Sequence, residues 1–442
     1  ARATHGMIGI VGAGYAGLAA AYRLQQAGEE VRIFEGSEQV GGLAATYTTP
    51  GAPIEQFYHH LSRSEETIVE LAEALGVGPT IEWRIGTTAH YIDGTVHPLN
   101  TPLEILAYPH MTIGDKLKLG LLTMGVDIHR FPPRRGAFEE LSAYESESVE
   151  AFVTRHTSRR VYTGFVEPLL TSKFGERREE ISAAWFLGRI RFRGERSIRH
   201  GEVLGYPTGG VAALTEALTE AVGHETISFE RPVTAVEMDV DGPVALTVGA
   251  DGDRVPVDGV FVATMPSVLE SLTGIETAIE FQAAICALVE HGEPITDQYW
   301  VNIADPCSFG ALVEHTNFVP PSRYGGRHLS YLAAYVQRLD DPLWRADDAA
   351  IAQRWLAELQ ELFPGFDHQT VSDVRVARNP QAAPLYVRGY AEQIIPTDLT
   401  ERGAPGVTYA GMGAAAQYPE RSLNGAIEAG FEAADVLVAR DR

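Results

Sequence analysis

The sequence predicts an α/β architecture, a parallel sheet flanked by helices and interrupted by an inserted α+β unit. Residues 8–42 run as apolar strand, glycine-rich turn, Ala- and Leu-rich helix and second apolar strand. Residues 407–438 run as a short apolar strand followed by a helix that opens at Ser422. Between them, helix and strand patterns alternate without internal repeats or a low-complexity linker. At 442 residues and 45% hydrophobic content, the chain can fill two or three domain-sized cores.

The first strand carries Ile8, Ile10 and Val11 and enters Gly12-x-Gly14-x-x-Gly17. Gly12 permits the tight turn, Gly14 lets the backbone approach a pyrophosphate, and Gly17 lets helix and strand pack closely. The helix that follows offers free N–H groups and a positive dipole end to the phosphates. The second strand, Val31-Arg32-Ile33-Phe34, ends in Glu35, 23 residues after Gly12. Its carboxylate can accept hydrogen bonds from ribose hydroxyls and would repel a 2′-phosphate. Strand, turn, helix, strand and acid at these spacings define a Rossmann-like dinucleotide clamp. Five residues beyond Glu35 come Gly41, Gly42 and Leu43. Paired glycines allow a backbone approach that a Cβ would block.

The Glu-x5-Gly-Gly continuation resembles the flavoprotein superfamily of amine oxidases, protoporphyrinogen oxidases, phytoene desaturases and UDP-galactopyranose mutases. That resemblance implies FAD as the cofactor and a Rossmann-like FAD domain of the glutathione-reductase type. It implies dinucleotide contacts at Gly12, Gly14, Ala16, Gly17, Glu35, Gly41, Gly42 and Leu43. The segment Glu55-Gln-Phe-Tyr58-His59-His60-Leu61 falls where relatives place a loop against the isoalloxazine, with Tyr58 on the cofactor. Val233 corresponds to a residue packed on the adenine edge. Residues 407–411 and Ser422-Leu-Asn424-Gly425-Ala426-Ile427 are similar to the C-terminal FAD motif, which adds Gly411 and Met412. In that motif a helix N-terminus faces the pyrimidine edge of the flavin and stabilises negative charge there. Met412 stands where many relatives carry an acidic residue, so binding at that position falls to its backbone N–H.

In chain order, a helix is expected over 65–75, with Ile68, Leu71, Ala72 and Leu75 on one face and Gly76 as its stop. Residues 101–190 read as largely helical, with caps at Thr101-Pro102, Thr112-x-x-Asp115 and Ser182. Thr208-Gly-Gly-Val opens a helix with Val211, Leu214, Leu218 and Val222 at core spacing. Strands are expected over 226–230, 233–238, 244–248 and 259–264. Further strands are expected over 279–290, 299–303, 310–315, 329–336 and 371–378, with a helix over 347–362. The expected division is a discontinuous FAD domain of residues 7–84, 205–274 and 381–442. Residues 85–204 and 275–380 then form an inserted substrate domain, part helical and part mixed sheet.

Met7, directly before the first strand, reads as a natural start. No apolar run reaches the ~18 residues a spanning helix needs, and no basic and apolar leader precedes the first strand. Cys286 and Cys307 are too few for a disulfide framework or a metal site, and fit a reduced, cytoplasmic protein. The net charge is −24, and lysine occurs only at positions 116, 118 and 173. That balance argues against nucleic acid and anionic membranes and leaves a small-molecule substrate as the expected partner. It leaves the oligomeric state open.

Three functions follow from the resemblance. An FAD-dependent oxidoreductase transfers a hydride from an organic substrate to flavin N5. A nucleotide-sugar mutase uses reduced flavin as a nucleophile without net redox change. The third is a flavin-binding protein without turnover. Tyr58–Leu61, the stretch Pro168-Leu-Leu-Thr-Ser-Lys173-Phe-Gly175 and Ala416-Gln-Tyr418 are similar to the mutases, whereas Ser422–Ile427 is closer to the oxidases. A mutase needs two arginines on a diphosphate, and Arg378, Arg388 and Arg421 are the candidates by position. His60 is the expected flavin-facing catalytic residue. His59, its neighbour on an extended segment, is expected to point away and stabilise the loop. Lys173 is expected in a helical salt bridge, and Tyr386, Tyr390 and Tyr418 form a possible aromatic cage. Residues 117–126 read as a core helix, with membrane docking or a tunnel wall as the alternative.

Overall fold

A computed structural model describes residues 6–129, 135–192, 196–197 and 201–440. All but one of the residues before Met7 fall outside them. Five parallel strands form the central sheet, in the order Ile227–Ser228, Val31–Phe34, Ile8–Val11, Gly259–Val262 and Val407–Tyr409. The three strands Ile8–Val11, Gly259–Val262 and Val407–Tyr409 are buried at every residue. Parallel strands covered on both faces need such unbroken apolar runs. Sequence-distant segments therefore meet in one sheet, and the helices Tyr15–Ala27 and Leu423–Arg440 pack together beside it. Small residues make that contact possible. A Cβ on Gly17 would lie 2.0 Å from the Gly12 carbonyl oxygen, and one on Gly430 would lie 2.5 Å from that of Ala16.

A second, seven-stranded mixed sheet runs in the order Asp373–Pro384, Phe281–His291, His328–Val336, Ala311–Glu314, Trp300–Ile303, Thr88–Ile92 and Thr95–Pro98. The helix Asp348–Leu362 covers one face with Ile351, Trp355 and Leu359, spaced four residues apart and all buried. Asp347 caps it by accepting from the Ala350 N–H at 2.7 Å. Thr101 and Thr112 open the helices Pro102–Ala107 and Ile113–Thr123, each with a complete capping box. Ser182 accepts from the Ala184 N–H ahead of the helix Ala183–Phe192.

The structure also departs from the sequence pattern. The strand expected over 226–230 shortens to Ile227–Ser228, because Glu230 adopts a φ of 53° that an extended strand cannot hold. Asp253–Pro256 adds an unexpected third strand beside Pro243–Val248 and Val233–Met238. Its polar composition and only partly buried face hide the alternation that marks a strand. Ile81–Gly86 pairs with Gly201–Pro207, so the expected boundaries at 84/85 and 204/205 fall inside one antiparallel sheet. The described residues of 101–190 are helical but broken, with a π turn over Tyr162–Val166 and short 3-10 turns. The helix Ile113–Thr123 is no plain core element. Leu119 and Leu122 are buried, while Ile113 and Leu117 project from the opposite face.

Candidate active site

The two glycine motifs fold onto one another. The Gly41 N–H donates to the Ala13 carbonyl at 2.9 Å, and Gly14 and Gly41 form a parallel bridge. Gly41 and Gly42 hold φ values of 105° and 58°, and a Cβ on Gly42 would stand 3.5 Å from the Gly14 Cα. A Cβ on Gly14 would meet no atom within 4 Å. Gly14 instead faces a cavity of about 1010 Å³ that also touches Ala16, Gly41, Gly42 and Leu43. An open glycine wall at a helix N-terminus, whose first-turn N–H groups lack intrahelical partners, fits a pyrophosphate. At the other end of the chain, Gly411, Met412 and Ala426 line the same cavity, as do Ser422 and Leu423 at the start of the last helix.

Other expected contact residues lie behind this wall. Gly12 holds a φ of 99° in the turn, and Gly17 is the close-packing point described above. Glu35 accepts from the Ala13 N–H at 2.7 Å and from the N–H and hydroxyl of Ser37 at 2.9 and 2.8 Å, which fixes its carboxylate beside the first turn. Val233 is buried at the start of its strand, after a segment in which the Arg231 N–H donates to the Glu35 carbonyl. Asn424, Gly425 and Ile427 do not line the cavity. The Asn424 Oδ1 accepts from the Ile68 N–H at 2.9 Å and its amide donates to Glu428 at 2.8 Å, tying the last helix to Glu66–Ala74. A Cβ on Gly425 would lie 2.4 Å from the Ala416 carbonyl oxygen, and Ile427 is core. These three set where the helix begins.

Tyr58, His59 and His60 all line the cavity. The expectation that one histidine turns away is corrected, because 57–60 is irregular and strand alternation does not apply. Tyr58 stands edge-on to Trp300 and Tyr331, with ring centroids 4.8 and 6.0 Å away. His59 Nδ1 lies 2.6 Å from the Phe57 carbonyl oxygen. A carbonyl only accepts, so Nδ1 carries the proton and Nε2 is left as an acceptor. Burial, with the nearby Arg421 charge, lowers the His59 pKa to about 4, so the ring is neutral at pH 7. His60 Nδ1 is 3.1 Å from the Tyr299 hydroxyl.

A charged cluster completes the wall, and most of it was not anticipated. Lys173 pairs with Glu420, its Nζ 2.7 and 2.9 Å from the two carboxylate oxygens across 247 residues of chain. The expected helical salt bridge is therefore corrected to a tertiary one. The Trp185 indole N–H and the Arg189 guanidinium also donate to Glu420, at 2.7 and 3.2 Å. Burial pushes the Glu420 carboxyl up, but the charges of Lys173 and Arg189 outweigh it and hold the pKa at about 2. Arg421 donates to the Tyr335 hydroxyl at 3.3 Å, and its buried Nε has no hydrogen-bond partner. Burial raises the Tyr335 phenol, yet Arg421 and Lys173 bring it below the ordinary tyrosine range. The scarcity of lysine, the mutase-like stretch around Lys173 and the candidate Arg421 were the signals in the sequence that pointed here; Glu420, Arg189 and Tyr335 had none.

Of the three candidate arginines, only Arg421 reaches the cavity. Arg378 pairs with Asp348 at 2.6 Å and binds the carbonyls of Trp344 and Ala346, and Arg388 binds the Glu179 carbonyl. Tyr386, Tyr390 and Tyr418 do not form a cage, for none of them lines the cavity; Tyr386 and Tyr390 are buried in the core. The aromatic lining comes instead from Tyr15, Tyr58, Phe138, Phe165, Trp185, Phe186, Tyr299, Trp300 and Tyr335. Cys286 and Cys307 are unpaired. Among the described residues, no group of three or more His, Cys, Asp or Glu is arranged to hold a metal, and no helix is long and apolar enough to cross a membrane.

Residues 15–438 match the flavin containing amine oxidoreductase family, and the chain belongs to it. Membership carries FAD as the cofactor and places the chain in a family of flavin-containing oxidoreductases. A flavin-containing monoamine oxidase assigned in Mycobacterium tuberculosis, AofH, is 36% identical over 100 residues, which cover 21% of this chain and 22% of that protein. The curated relatives are thus matched over less than half of their own length. A structure from Exiguobacterium sp. 255-15, assigned as a protoporphyrinogen oxidase, shares the fold with a TM-score of 0.77 at 18% identity, covering all of both chains. Reduced UDP-galactopyranose mutase shares it with a TM-score of 0.72 at 15% identity, covering 98% of this chain and 96% of that one. Resemblance at that level speaks to the fold alone.

Proposed function

We propose that this chain oxidises a small organic substrate by hydride transfer to flavin N5. One observation carries the reading. The cavity that begins at the glycine wall continues, without a break, into a pocket lined by aromatic side chains and by the Lys173, Glu420, Arg421 and Tyr335 cluster. Binding FAD alone would leave that second half without a purpose, which counts against a flavin carrier without turnover. When bound, FAD supplies the hydride acceptor.

In this reading Gly14, Ala16, Gly41, Gly42 and Leu43 cradle the pyrophosphate side, Gly12 and Gly17 shape the turn behind them, and Glu35 and Val233 lie toward the adenosine. Tyr58, Gly411, Met412 and Ala426 border the flavin, where the start of the last helix directs its dipole. Asn424, Gly425 and Ile427 hold that helix start in place. Residues 7–84, 205–274 and 381–442 form the FAD side, and 85–204 with 275–380 the substrate side, the antiparallel pair Ile81–Gly86 and Gly201–Pro207 spanning the two. Tyr335 is the group best suited to exchange a proton with the substrate, because its phenol is acidified and Arg421 and Lys173 stabilise the phenolate. His59 and His60 position the loop, and His59 offers a neutral ring nitrogen to the bound groups.

A second reading, a mutase acting on a nucleotide-sugar, rests on Arg189 and Arg421. Both line the cavity, and two guanidinium groups suit a diphosphate. An anaerobic panel of amines, porphyrinogens, polyenes and nucleotide-sugars separates the two. For the oxidoreductase, one substrate class bleaches the oxidised flavin and an acceptor restores the colour. Turnover of a nucleotide-sugar only after prior reduction, with no acceptor consumed, overturns it in favour of the mutase.

A further inference from the structure

One buried carboxyl on the cavity wall takes no part in the chemistry proposed above. Glu65 is 7% exposed and lines the cavity. It is the N-cap residue of the helix Glu66–Ala74, yet its carboxyl makes no capping bond to that helix. Instead its Oε2 accepts from the Ser62 N–H at 2.7 Å, and the Ser422 hydroxyl is its second partner. Ser422 in turn accepts from the Gly425 N–H at 2.9 Å, which makes it the N-cap of the last helix. Glu65 is thereby fixed at the helix start whose Leu423 and Ala426 line the same cavity. The close contact of Gly430 with Ala16 holds that helix against the one that follows Gly14.

The charged group that acts on Glu65, Glu428 of the last helix, is itself acidic; its Oε1 accepts from Thr67 and from Asn424, both at 2.8 Å. Arg63, on the loop before Glu65, lies over the Trp83 ring, 4.7 Å from its centroid. On the flavin loop His59 is neutral at pH 7 and His60 rests on the Tyr299 hydroxyl, while Arg421 is directed at Tyr335. Burial, helped by Glu428, pushes the Glu65 carboxyl up to about 7 against the pull of its Ser62 and Ser422 partners. A pyrophosphate brought to this wall is a dianion that needs the same helix N-termini as an ionised carboxylate. Ionised, Glu65 offers acceptors only and repels it. Protonated, it gains an O–H that can donate to a phosphate or ribityl oxygen while Ser62 and Ser422 keep their bonds.

We propose that Glu65 is a cofactor-contacting residue that stays protonated in the FAD complex, so that the protein takes up FAD and a proton together. The inference rests on the placement of FAD between the glycine wall and the last helix given above, and not on the reaction or its substrate. The proton comes from solvent and only an O–H bond is made. Because the complex holds more protons than the apoprotein, FAD binds most tightly at low pH and progressively more weakly as pH rises past about 7. Retention of the cofactor, and with it the amount of active protein, becomes a function of pH.

The test is calorimetric titration of apoprotein with FAD from about pH 6 to about pH 9, in two buffers of different ionisation enthalpy. Wild type should take up about half a proton at pH 7 and about four-fifths of one at pH 8, and its Kd should rise about fivefold over that unit. Glu65→Gln keeps an oxygen for the Ser62 N–H but cannot ionise. It should bind FAD within about threefold of wild type at pH 6 and hold that Kd to pH 8. Glu55, whose pKa also lies at about 7, does not line the cavity, and Glu55→Gln should keep the wild-type slope. Binding by wild type without proton uptake overturns the inference, and so does a Glu65→Gln protein that keeps the wild-type pH dependence. The proton count in wild type needs no variant and decides the matter even where Glu65→Gln does not fold. Gly14→Val separates this inference from the placement beneath it: that variant should bind no FAD at any pH, and wild-type binding by it overturns the placement itself.

Discussion

Gly14 and Lys173 show two ways in which a single residue reaches the site. Gly14 acts through what it lacks: its Cβ position is empty space facing the cavity. Gly14→Val should fold, because nothing stands within 4 Å to clash, yet it should not retain FAD. Purified protein should be colourless with a near wild-type far-ultraviolet dichroism spectrum. A yellow Gly14→Val protein with about one flavin per chain would mean that the pyrophosphate lies elsewhere. Lys173 acts through its charge. Lys173→Met leaves the buried Glu420 with Arg189 and the Trp185 indole N–H as its hydrogen-bond partners, and breaking a buried pair costs about 3–5 kcal/mol. Lys173→Met/Glu420→Gln should recover most of that stability in a denaturant melt but not the rate of anaerobic flavin reduction. Wild-type reduction by the double variant would reduce the pair to architecture. The glycine was legible in the sequence because a backbone geometry that only glycine permits has a fixed local spacing. The lysine's role was not, since its partner lies 247 residues away and no local pattern records a tertiary contact.

Elements were legible wherever their own chemistry fixed them. Thr112 and Asp115, three apart, specify a helix start, and Ile351, Trp355 and Leu359 specify a buried helix face. Ile81–Gly86 carries a legible strand signal in its alternation of Ile, Glu, Trp, Arg and Ile, whereas Gly201–Pro207 does not alternate and becomes a strand only by pairing with it. The irregular loop at 57–60 misled in the same manner, since alternation holds only where a ladder enforces it. Glu55 ties such elements together. It accepts from the Tyr206 hydroxyl and from the Val211 N–H, both at 2.7 Å, and so anchors the start of Ala212–Val222 to the flavin loop. Burial raises its pKa to about 7. A carboxyl whose folded pKa lies above its unfolded value binds more protons when folded. Its contribution is complete below about 4.5 and is lost as pH rises toward and through 7. His59 works in the opposite sense, its lowered pKa favouring the fold as pH rises from about 4 to 6.5. Glu55→Gln should therefore flatten the fall in melting temperature between pH 5 and 8, leaving the rise from His59 in place. An unchanged pH profile would mean that Glu55 titrates normally and is not desolvated.

At the scale of the whole molecule, the cavity wall is assembled from pieces that are far apart in the chain. Gly14 and Ala16, Gly41–Leu43, Tyr58–His60, Gly411–Met412, and Ser422 and Leu423 with Ala426 contribute to one surface. The first, second and last of these hang on the parallel sheet, whose strands Ile8–Val11, Val31–Phe34 and Val407–Tyr409 come from both ends of the sequence. The seven-stranded sheet has its own buried cluster around Ile285, Leu312, Leu332 and Trp355, packed without help from those glycines. A ligand that bridges the glycine wall and the last helix should stabilise the first group cooperatively and leave the second nearly untouched. Removing FAD forfeits RT ln(1 + [L]/Kd) of stability, about 4 kcal/mol at a thousandfold excess over Kd. Hydrogen exchange of apo and FAD-loaded protein should locate that loss. Amides at 13–18, 41–45, 58–60 and 411–426 should lose protection together, whereas those of Phe281–His291, His328–Val336 and Asp348–Leu362 should exchange as before. If the second set deprotects as strongly as the first, the two sheets unfold as one unit, and the proposed division into FAD and substrate sides fails. If residues 411–426 keep their protection while 13–18 lose it, the last helix does not touch the cofactor, and its assigned place beside the flavin is wrong.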